Sequence, residues 1–471
     1  MNVRPIRSLI VDVKGVIIEL LKERAFFKLK NPNNKMAYDI IIGRDAADKK
    51  AFGDRGLVYI GKGYVKMGQY TSLSNKIFMD IVRSHVVLVA GKRGSGKSYS
   101  IGVIAEELSN LPKEASQNIA SLIFDTMGIY WTMKFKNEKD KDLLAEWGLG
   151  SRNLPVKIFV PFGYYDAYLE KGIPADESFA LDVNEMNAED WVLTFGLDLI
   201  NPVSVLIQRA IAKLKEQGTY DLDDVLEELE KDEKTPQEIR NAAAGLFEAA
   251  NTWGIFAKKG EEATKVEALI SAGTTTVLDL SVYNAVGAFN IRALAISLLS
   301  RKIFNQRMSS RKEEEINSVA HGLDYFSGGI KRDNPLVWIF IDEAHEFLPL
   351  NGKTVATDAL IQLLREGRQP GISVVLATQQ PGQIHHDVMT QSDIVIAHRV
   401  TSKPDVDSLN YIMQSYVLES IKKQMDDLPS LKGSAILLDD NSERIYPMRV
   451  KPRFTWHGGE APTAIKAEKR L

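Results

Sequence analysis

The chain of 471 residues is 44% hydrophobic and 26% charged, which is ordinary for a globular protein and provides material for two or three domains. Its formal net charge of −3 argues against a surface coated with positive charge, although local lysines and arginines along a channel would still allow contact with nucleic acid. Because the sequence contains no cysteine and its 7 histidines are scattered, disulfides and thiolate metal sites are excluded and a structural zinc is not expected.

The N-terminal region predicts strands and no membrane segment. Its apolar residues are interrupted by Asp12, Lys14 and Glu19, so we expect neither a signal peptide nor a membrane span, and hence a cytoplasmic location. Short alternating runs separated by glycine and Asn-Pro turns predict a small β-barrel or sandwich over residues 1–75.

A strand, a glycine-rich turn and a helix are predicted over residues 85–104. Residues 86–90 are small or β-branched and apolar, which is typical of a strand buried on both faces of a parallel sheet. Residues 91–98 fit the P-loop pattern G-x-x-x-x-G-K-S/T, in which backbone N–H groups and a helix N-terminus surround phosphate oxygens. Lys97 is then predicted to reach the β- and γ-phosphates of ATP, and Ser98 to bind Mg²⁺. An ordinary strand-to-helix turn without nucleotide is the alternative.

The predicted nucleotide-binding residues comprise this loop, the start of its helix and one carboxylate. Asp125 ends a second buried strand, residues 120–125, and such strand ends lie at the edge where ligands bind in parallel sheets. A turn or helix-cap aspartate is the alternative for this residue. The full set is Gly91, Lys92, Arg93, Gly94, Ser95, Gly96, Lys97, Ser98, Tyr99 and Asp125.

The middle of the chain interrupts the predicted sheet. Residues 185–265 show amphipathic helical patterns without strands and predict a helical insertion, to which composition assigns no chemistry. The sheet resumes at residues 275–280, and a helix is predicted over residues 288–308. For the polar residues 309–334 we favour a mobile surface segment over a functional projection.

Two carboxylates, Asp342 and Glu343, end the most apolar strand, residues 336–341. Buried carboxylates are costly unless they are paired or bound to metal. Asp342 is therefore predicted to hold Mg²⁺ through its water shell, and Glu343 to orient and deprotonate the water that attacks the γ-phosphate. Gln379, which ends the next strand, is placed to hydrogen-bond the γ-phosphate and this water. Together these residues predict a nucleotide hydrolase, and a degenerate protein that only binds nucleotide is the alternative.

The chain is thus predicted to have an α/β fold with a largely parallel sheet, divided into five segments. They are a small β-barrel (1–75), the first part of an ATPase core (76–184), a helical insertion (185–265), the second part of the core (266–450) and a C-terminal arm or tail (451–471).

The order of these motifs resembles the HerA branch of the HerA/FtsK ATPases. The resemblance extends from about residue 55 to 445 and is weakest over the helical insertion and the last residues. It is carried by the P-loop and by residues 125–130, 276–281, 341–345, 365–368 and 377–381. The Asp-Glu-Ala-His strand end, followed by the Gly-Arg segment and the Gln-containing strand end, is its most specific part.

The resemblance implies a RecA-like core in a homo-hexameric ring that hydrolyses ATP between subunits and moves double-stranded DNA through its channel. It also implies action with a nuclease in DNA end processing. By motif, Lys97 and Ser98 would bind phosphate and Mg²⁺, Asp342 the metal, and Glu343 would be the base with Gln379 as sensor. Arg365 and Arg368 become candidates for an arginine finger that enters a neighbouring subunit's site.

One departure from the family pattern keeps another function open. Where the family often has Asp-x-x-Gly-Glu-Tyr, this chain has Ile129 in the acidic position, which leaves no residue for any role of that acid. With the net acidic charge, this supports a second hypothesis: a nucleotide-dependent switch or assembly scaffold that uses ATP to order a ring and recruit partners. A protein-remodelling ATPase ranks lower, because the motif after the Asp-Glu strand does not point to one.

Overall fold

The structure is a computed structural model that describes residues 39–67, 70–258, 260–284, 290–321, 332–413 and 421–459. Most of the predicted N-terminal barrel, part of the predicted polar segment 309–334 and the end of the predicted C-terminal arm lie outside the described residues. No helix in the described ranges combines the length and the apolar character that a bilayer-spanning segment needs.

The described strands form one sheet of 13 strands. They are β1 (Ile40–Ile42), β2 (Leu57–Met67), β3 (Tyr70–Asp80), β4 (Val86–Ala90), β5 (Ile119–Asp125), β6 (Val156–Pro161), β7 (Glu177–Phe179), β8 (Thr275–Asp279), β9 (Leu336–Ile341), β10 (Ile372–Thr378), β11 (Ile394–His398), β12 (Ser434–Asp439) and β13 (Arg444–Val450). Their order across the sheet is β1-β3-β2-β13-β12-β11-β4-β10-β9-β5-β8-β6-β7.

Along the chain, the described α-helices all lie between strands. They are α1 (Ala46–Phe52), α2 (Lys97–Leu108), α3 (Lys113–Ser116), α4 (Lys141–Glu146), α5 (Tyr165–Glu170), α6 (Ala188–Thr194), α7 (Pro202–Gln217), α8 (Leu222–Glu230), α9 (Gln237–Asn251), α10 (Val266–Leu269), α11 (Ile291–His321), α12 (Thr357–Glu366), α13 (His386–Gln391), α14 (Lys403–Met413) and α15 (Ile421–Asp426).

The predicted α/β fold with a largely parallel sheet is confirmed. All neighbours from β11 to β7 run parallel, whereas β11, β12, β13, β2 and β3 are joined by antiparallel pairs. Every residue of β5, β8, β10 and β11 is buried, and in β5, β10 and β11 apolar residues predominate without alternation. Because the central strands are parallel, the polar residues that follow them meet at one edge of the sheet.

Helices α6 to α9 lie within the predicted helical insertion, and an aromatic cluster links α6 to α9. The ring of Trp191 lies 5.5 Å from that of Phe195, 4.8 Å from Phe247 and 5.4 Å from Phe256. Asn201 caps α7 by accepting a hydrogen bond of 2.9 Å from the backbone N–H of Val203. The limits of the five predicted segments stay a prediction.

Helix α11 is longer than predicted, because it continues from residue 308 to His321. The prediction of surface loop for residues 309–321 is therefore wrong. The buried guanidinium of Arg307 donates to the carbonyl oxygens of Pro370 at 2.9 Å and Asn334 at 2.8 Å. It also lies 3.5 Å from the carboxylate of Glu314, 7 residues further along the same helix. Charged residues that are paired inside the fold resemble surface residues in a sequence, which is why the extension was not predicted.

The first residues of the predicted C-terminal arm pack on helix α2. Arg453 and Glu106 are both buried and form an ion pair of 2.8 Å, and Glu106 also accepts the backbone N–H of Phe454 at 2.7 Å. Gly102 makes room for this pair, since a Cβ there would lie 2.5 Å from Nη1 of Arg453. Residues 451–455 therefore belong to the packed core, and residues 460–471 lie outside the described residues.

A buried charge network holds the edge of the sheet at which β4 begins. His85 Nδ1 lies 2.7 Å from Asp393 Oδ2, and His85 Nε2 lies 3.2 Å from Asp80 Oδ2. Asp80 also accepts from the buried guanidinium of Arg44, with an Nε–Oδ1 distance of 2.7 Å. Burial alone would lower the pKa of His85, but the hydrogen bonds that its ring donates to the carboxylates of Asp393 and Asp80 outweigh this effect and raise the pKa to about 9.

We expect the midpoint of thermal unfolding to fall as the pH rises from 6.5 to 9. Because the folded chain favours protonated His85, this stabilisation is complete below the ordinary pKa of 6.5 and is lost as the pH passes the folded pKa of about 9. It contributes about 3 kcal/mol to the free energy of unfolding. His85→Gln should weaken this pH dependence and leave the part that comes from Asp125 and Glu343, whose pKa values are also raised. His386→Gln, at an exposed position, should retain all of it. A wild-type midpoint that is constant over this range would contradict the assignment.

Candidate active site

The loop after β4 turns sharply and leads into the N-terminus of α2. Gly91 leaves little room for a side chain, because a Cβ there would lie 2.4 Å from Ser95 Oγ and 2.7 Å from His398 Cβ. Gly94 and Gly96 have φ angles of 74° and 112°, in the left-handed region that favours glycine. Gly96 provides no side-chain cap to α2, so the first backbone N–H groups of the helix are available to an anion.

Lysine and arginine side chains of the loop differ in their surroundings. Lys97 is buried, and its Nζ lies 3.4 Å from the carbonyl oxygen of Lys92. Burial lowers the pKa of Lys97, and the nearby carboxylates of Glu343 and Asp342 oppose this effect. The side chains of Lys92 and Arg93 are exposed, so their charge faces solvent.

The two residues after Lys97 contact other parts of the chain. The Tyr99 hydroxyl accepts the backbone N–H of Arg453 at 2.7 Å, and its ring lies 5.2 Å from the ring of His457. The side chain predicted to contact nucleotide therefore faces the C-terminal segment. The carbonyl oxygen of Ser98 lies 3.4 Å from the Tyr130 hydroxyl.

His398, at the end of β11, packs against the P-loop and the first turn of α2. Its ring is fully buried, and burial lowers its pKa to about 4, so it is neutral at pH 7. Its Nδ1–H donates to the carbonyl oxygen of Ser434 at 3.1 Å, which leaves Nε2 to accept from the Ser100 hydroxyl at 2.8 Å. Its Cβ would lie 2.7 Å from any Cβ on Gly91. This residue was not predicted, since nothing in the sequence distinguishes a histidine that ends a buried strand.

The two carboxylates after β9 differ in their hydrogen bonds. Asp342 is buried, and it accepts the backbone N–H of Glu343 at 2.9 Å and the Tyr130 hydroxyl at 3.3 Å. Glu343 has φ 50° and ψ 43°, a left-handed conformation that costs a residue with a side chain about 1–3 kcal/mol. Burial and the neighbouring Asp342 raise the pKa of Glu343 to about 7, with Lys97 opposing.

One oxygen of Glu343 is held and the other is not. Gln379 donates from Nε2 to Glu343 Oε1 at 3.0 Å. Glu343 Oε2 is buried without a hydrogen-bond partner in the described residues and lies 3.6 Å from His345 Nδ1. That nitrogen in turn lies 3.2 Å from the Thr378 hydroxyl. The glutamate is thus oriented by Gln379 while one oxygen can accept a further hydrogen bond.

Asp125 holds the turn that follows β5. Its Oδ1 accepts the N–H groups of Met127 at 3.2 Å and Gly128 at 2.7 Å, and its Oδ2 accepts that of Tyr130 at 2.7 Å. Burial is the main cause that raises the pKa of Asp125 to about 8, and the negative charge of the facing Asp279 adds to it. These contacts match the turn interpretation that the sequence left open as the alternative, so we do not retain Asp125 among the nucleotide-contacting residues.

The donor set near the loop suits Mg²⁺. This ion is usually held by one or two carboxylates together with phosphates and water. Asp342 offers a carboxylate and Ser98 a hydroxyl, and the Tyr130 hydroxyl lies 3.3 Å from Asp342 Oδ2 and 3.4 Å from the backbone carbonyl oxygen of Ser98. In the described part of the chain, no group of three or more His, Cys, Asp and Glu side chains could hold a metal alone.

Arg365 and Arg368 lie at the opposite edge of the sheet. They precede β10, whereas Gln379 follows it, and this strand of 7 residues is about 20 Å long. Arg365 forms an ion pair of 2.7 Å with Asp387. Arg368 is exposed, and its side chain has no hydrogen bond or ion pair within the described residues. Neither arginine can reach the P-loop of its own chain.

Two curated proteins are similar to this chain, one over less than half of its length and the other over most of it. The DNA double-strand break repair helicase HerA of Pyrococcus furiosus is 25% identical over 212 residues, which are 41% of this chain and 37% of that protein. The chain thus spans little more than a third of that relative. A probable helicase of Methanocaldococcus jannaschii is 22% identical over 445 residues, which are 91% of this chain and 73% of that protein.

A solved structure and two family models complete the comparison. The structure of VirB4 of Thermoanaerobacter pseudethanolicus, 11% identical, has a TM-score of 0.50 and covers 85% of this chain and 98% of its own, which supports the fold alone. The model of the zonular occludens toxin matches residues 284–404. The model described as the central domain of helicase HerA matches residues 63–301, just over half of the 471 residues. The resemblance predicted from the motifs is confirmed, and the chain belongs to the HerA helicase central-domain family.

Proposed function

We propose that this chain is an ATP-hydrolysing motor that moves double-stranded DNA. The observation that carries the hydrolysis is the arrangement of Glu343, which has one carboxylate oxygen held by Gln379 and the other buried without a partner. Its raised pKa of about 7 suits a general base near neutral pH. Oε2 of Glu343 would accept a hydrogen bond from the attacking water and so orient it.

The other residues of the site divide the remaining tasks. Lys97 and the N-terminus of α2 would bind the β- and γ-phosphates, because both provide positive charge at the same turn. When bound, Mg²⁺ would supply charge neutralisation at the phosphates, with Asp342 and Ser98 as its protein ligands. Gln379 links Glu343 to β10, so a change at the γ-phosphate would be passed on to the strand that Arg368 precedes.

The choice of DNA as partner rests on the family and on the relatives' names. The HerA of Pyrococcus furiosus is named a DNA double-strand break repair helicase, and we extend DNA as a partner to this chain. We further propose a homo-hexameric ring, because the arginines before β10 lie too far from their own P-loop and would have to act on a neighbour. A nuclease partner in DNA end processing completes the proposal.

We expect duplex DNA to accelerate ATP hydrolysis by the purified chain. Contacts between lysine or arginine side chains and phosphates release counterions, so the acceleration should weaken as the salt concentration rises. The measurement is the steady-state rate of phosphate release with and without a blunt duplex, at several salt concentrations. Lys97→Ala, which removes the buried phosphate-binding amine, should give no hydrolysis under any of these conditions.

One result would contradict the motor function. Robust hydrolysis by the wild type that duplex DNA leaves unchanged, with no DNA binding at low salt, would exclude the motor while leaving the ATPase intact. A particle image with ATP and DNA would test the ring separately, since a six-fold assembly with a central hole is expected.

A further inference from the structure

Tyr130 connects two parts of the site that the sequence motifs treat separately. Its side chain is 1% exposed. The hydroxyl lies 3.3 Å from Asp342 Oδ2, at the end of β9, and 3.4 Å from the carbonyl oxygen of Ser98, in the first turn of α2. A single phenolic hydrogen therefore has two acceptors, the side chain of the predicted metal-binding aspartate and the backbone carbonyl of the predicted metal-binding serine.

The turn after β5 is built so that Tyr130 points inward. Asp125 accepts the backbone N–H of Tyr130 at 2.7 Å and that of Gly128 at the same distance. Gly128 has φ 68° and sits against Ser281, whose Oγ would lie 2.6 Å from a Cβ at this position. The Asp-x-x-Gly-x-Tyr pattern at residues 125–130 thus has one consequence, which is to fix the backbone of Tyr130. The Ile129 side chain is not needed for this arrangement.

We propose that Tyr130 is a positioning residue for Asp342, and that its hydroxyl orients the carboxylate toward the metal of a bound nucleotide. This inference rests on the proposed ATPase function. An aspartate at the end of a strand can rotate about its side-chain torsions. Among the residues that the structure describes, the Glu343 N–H and the Tyr130 hydroxyl are the groups that hold its two oxygens. Because the same hydroxyl can turn to the Ser98 carbonyl, it can release Oδ2 when the metal shell requires that oxygen.

The chain contains a matched control at the neighbouring strand end. Tyr168 is also buried, and its hydroxyl donates to Asp279 Oδ2 at 3.0 Å. Asp279 ends β8, and β5 lies between that strand and β9. Tyr168→Phe therefore removes a tyrosine-to-aspartate hydrogen bond of the same kind from a place that does not adjoin the P-loop. Tyr130→Phe and Tyr168→Phe should have similar effects on folding stability and different effects on the affinity for nucleotide in the presence of Mg²⁺.

The test is the equilibrium affinity for a fluorescent ATP analogue, measured with Mg²⁺ and with EDTA. We expect Tyr130→Phe to weaken binding in Mg²⁺ by about tenfold, the lower end of what loss of an outer-shell partner costs a metal site. Binding in EDTA should match the wild type, because the phosphate contacts of Lys97 and α2 remain. Tyr168→Phe should behave as wild type in both conditions, and thermal unfolding of both variants checks that they fold.

A double variant tests whether Tyr130 acts through Asp342. In an Asp342→Asn background, which removes the charged ligand, adding Tyr130→Phe should change the affinity in Mg²⁺ little further. Equal weakening of Tyr130→Phe in Mg²⁺ and EDTA, or no change in either, would overturn the inference and leave the proposed function standing. A wild type that binds the analogue equally well in Mg²⁺ and EDTA would overturn the metal-dependent ATPase itself, and the inference with it.

Discussion

Replacing Glu343 with Gln should lower the rate of ATP hydrolysis by about 10²–10⁴-fold, the usual contribution of a general base. Glutamine keeps the size of the side chain and can still hydrogen-bond Gln379, so nucleotide binding and assembly should be intact. What is lost is the basic oxygen Oε2, which is buried without a partner in the described residues. The measurement is single-turnover phosphate release together with the affinity for an ATP analogue.

Glu346→Gln is the matched control for this substitution. Glu346 lies three residues further on, and its carboxylate forms an ion pair of 2.8 Å with Arg292 instead of facing Gln379. It should change the hydrolysis rate only a few-fold, since the Glu346 carboxylate is engaged with Arg292 and influences Glu343 only through its charge. A Glu343→Gln chain that retains more than about a tenth of the wild-type rate would exclude the general-base role, because such a base contributes far more.

The pH profile provides an independent check on the same residue. Below its raised pKa of about 7 the carboxyl of Glu343 is protonated and cannot accept a proton, so kcat/KM should fall as the pH drops below 7. The Glu343→Gln chain should lack this limb. If that chain also retained function in cells, the switch or scaffold hypothesis left open by the sequence would be favoured over the motor.

The parallel core was predictable because its residues satisfy a single requirement. Strands β4, β9 and β10 are covered on both faces, so nearly every position must be apolar, and the periodicity of 2 disappears. The glycines of the loop were predictable for a similar reason, since Gly94 and Gly96 adopt angles that favour glycine. Local requirements of this kind are visible in a sequence without knowledge of the neighbours.

Features that depend on partners distant in sequence were not predictable. That β10 lies between β4 and β9, so that Gln379 meets Glu343, is a property of the strand order. Tyr130 belongs to the motif at residues 125–130, yet the role proposed for it depends on Asp342, 212 residues away. Sequence patterns therefore located the polar residues at the strand ends, but the hydrogen bonds among them required the assembled sheet.

Arg368→Ala should lower the hydrolysis rate about 10³-fold or more if this arginine completes the site of a neighbouring subunit. The affinity of the variant for nucleotide should stay near that of the wild type, because the P-loop of its own chain is unchanged. Arg365→Ala is the control, and its smaller expected effect follows from the ion pair that already engages Arg365 with Asp387. Equal loss in both variants would instead indicate a structural role for the segment before β10.

Mixing two inactive variants distinguishes a shared site from a site within one chain. A ring built from Lys97→Ala and Arg368→Ala chains contains interfaces in which an intact Lys97 meets an intact Arg368 from its neighbour. Such interfaces should restore part of the hydrolysis, whereas mixtures of chains carrying both substitutions should not. A groove of about 390 Å³ lies beside Arg368, and its lining residues are Phe304, Met308, Arg365, Glu366, Arg368 and Gln369. Absence of any rescue, with assembly of mixed rings verified, would rule out Arg368 as the finger, because the distance along β10 excludes a role within its own chain.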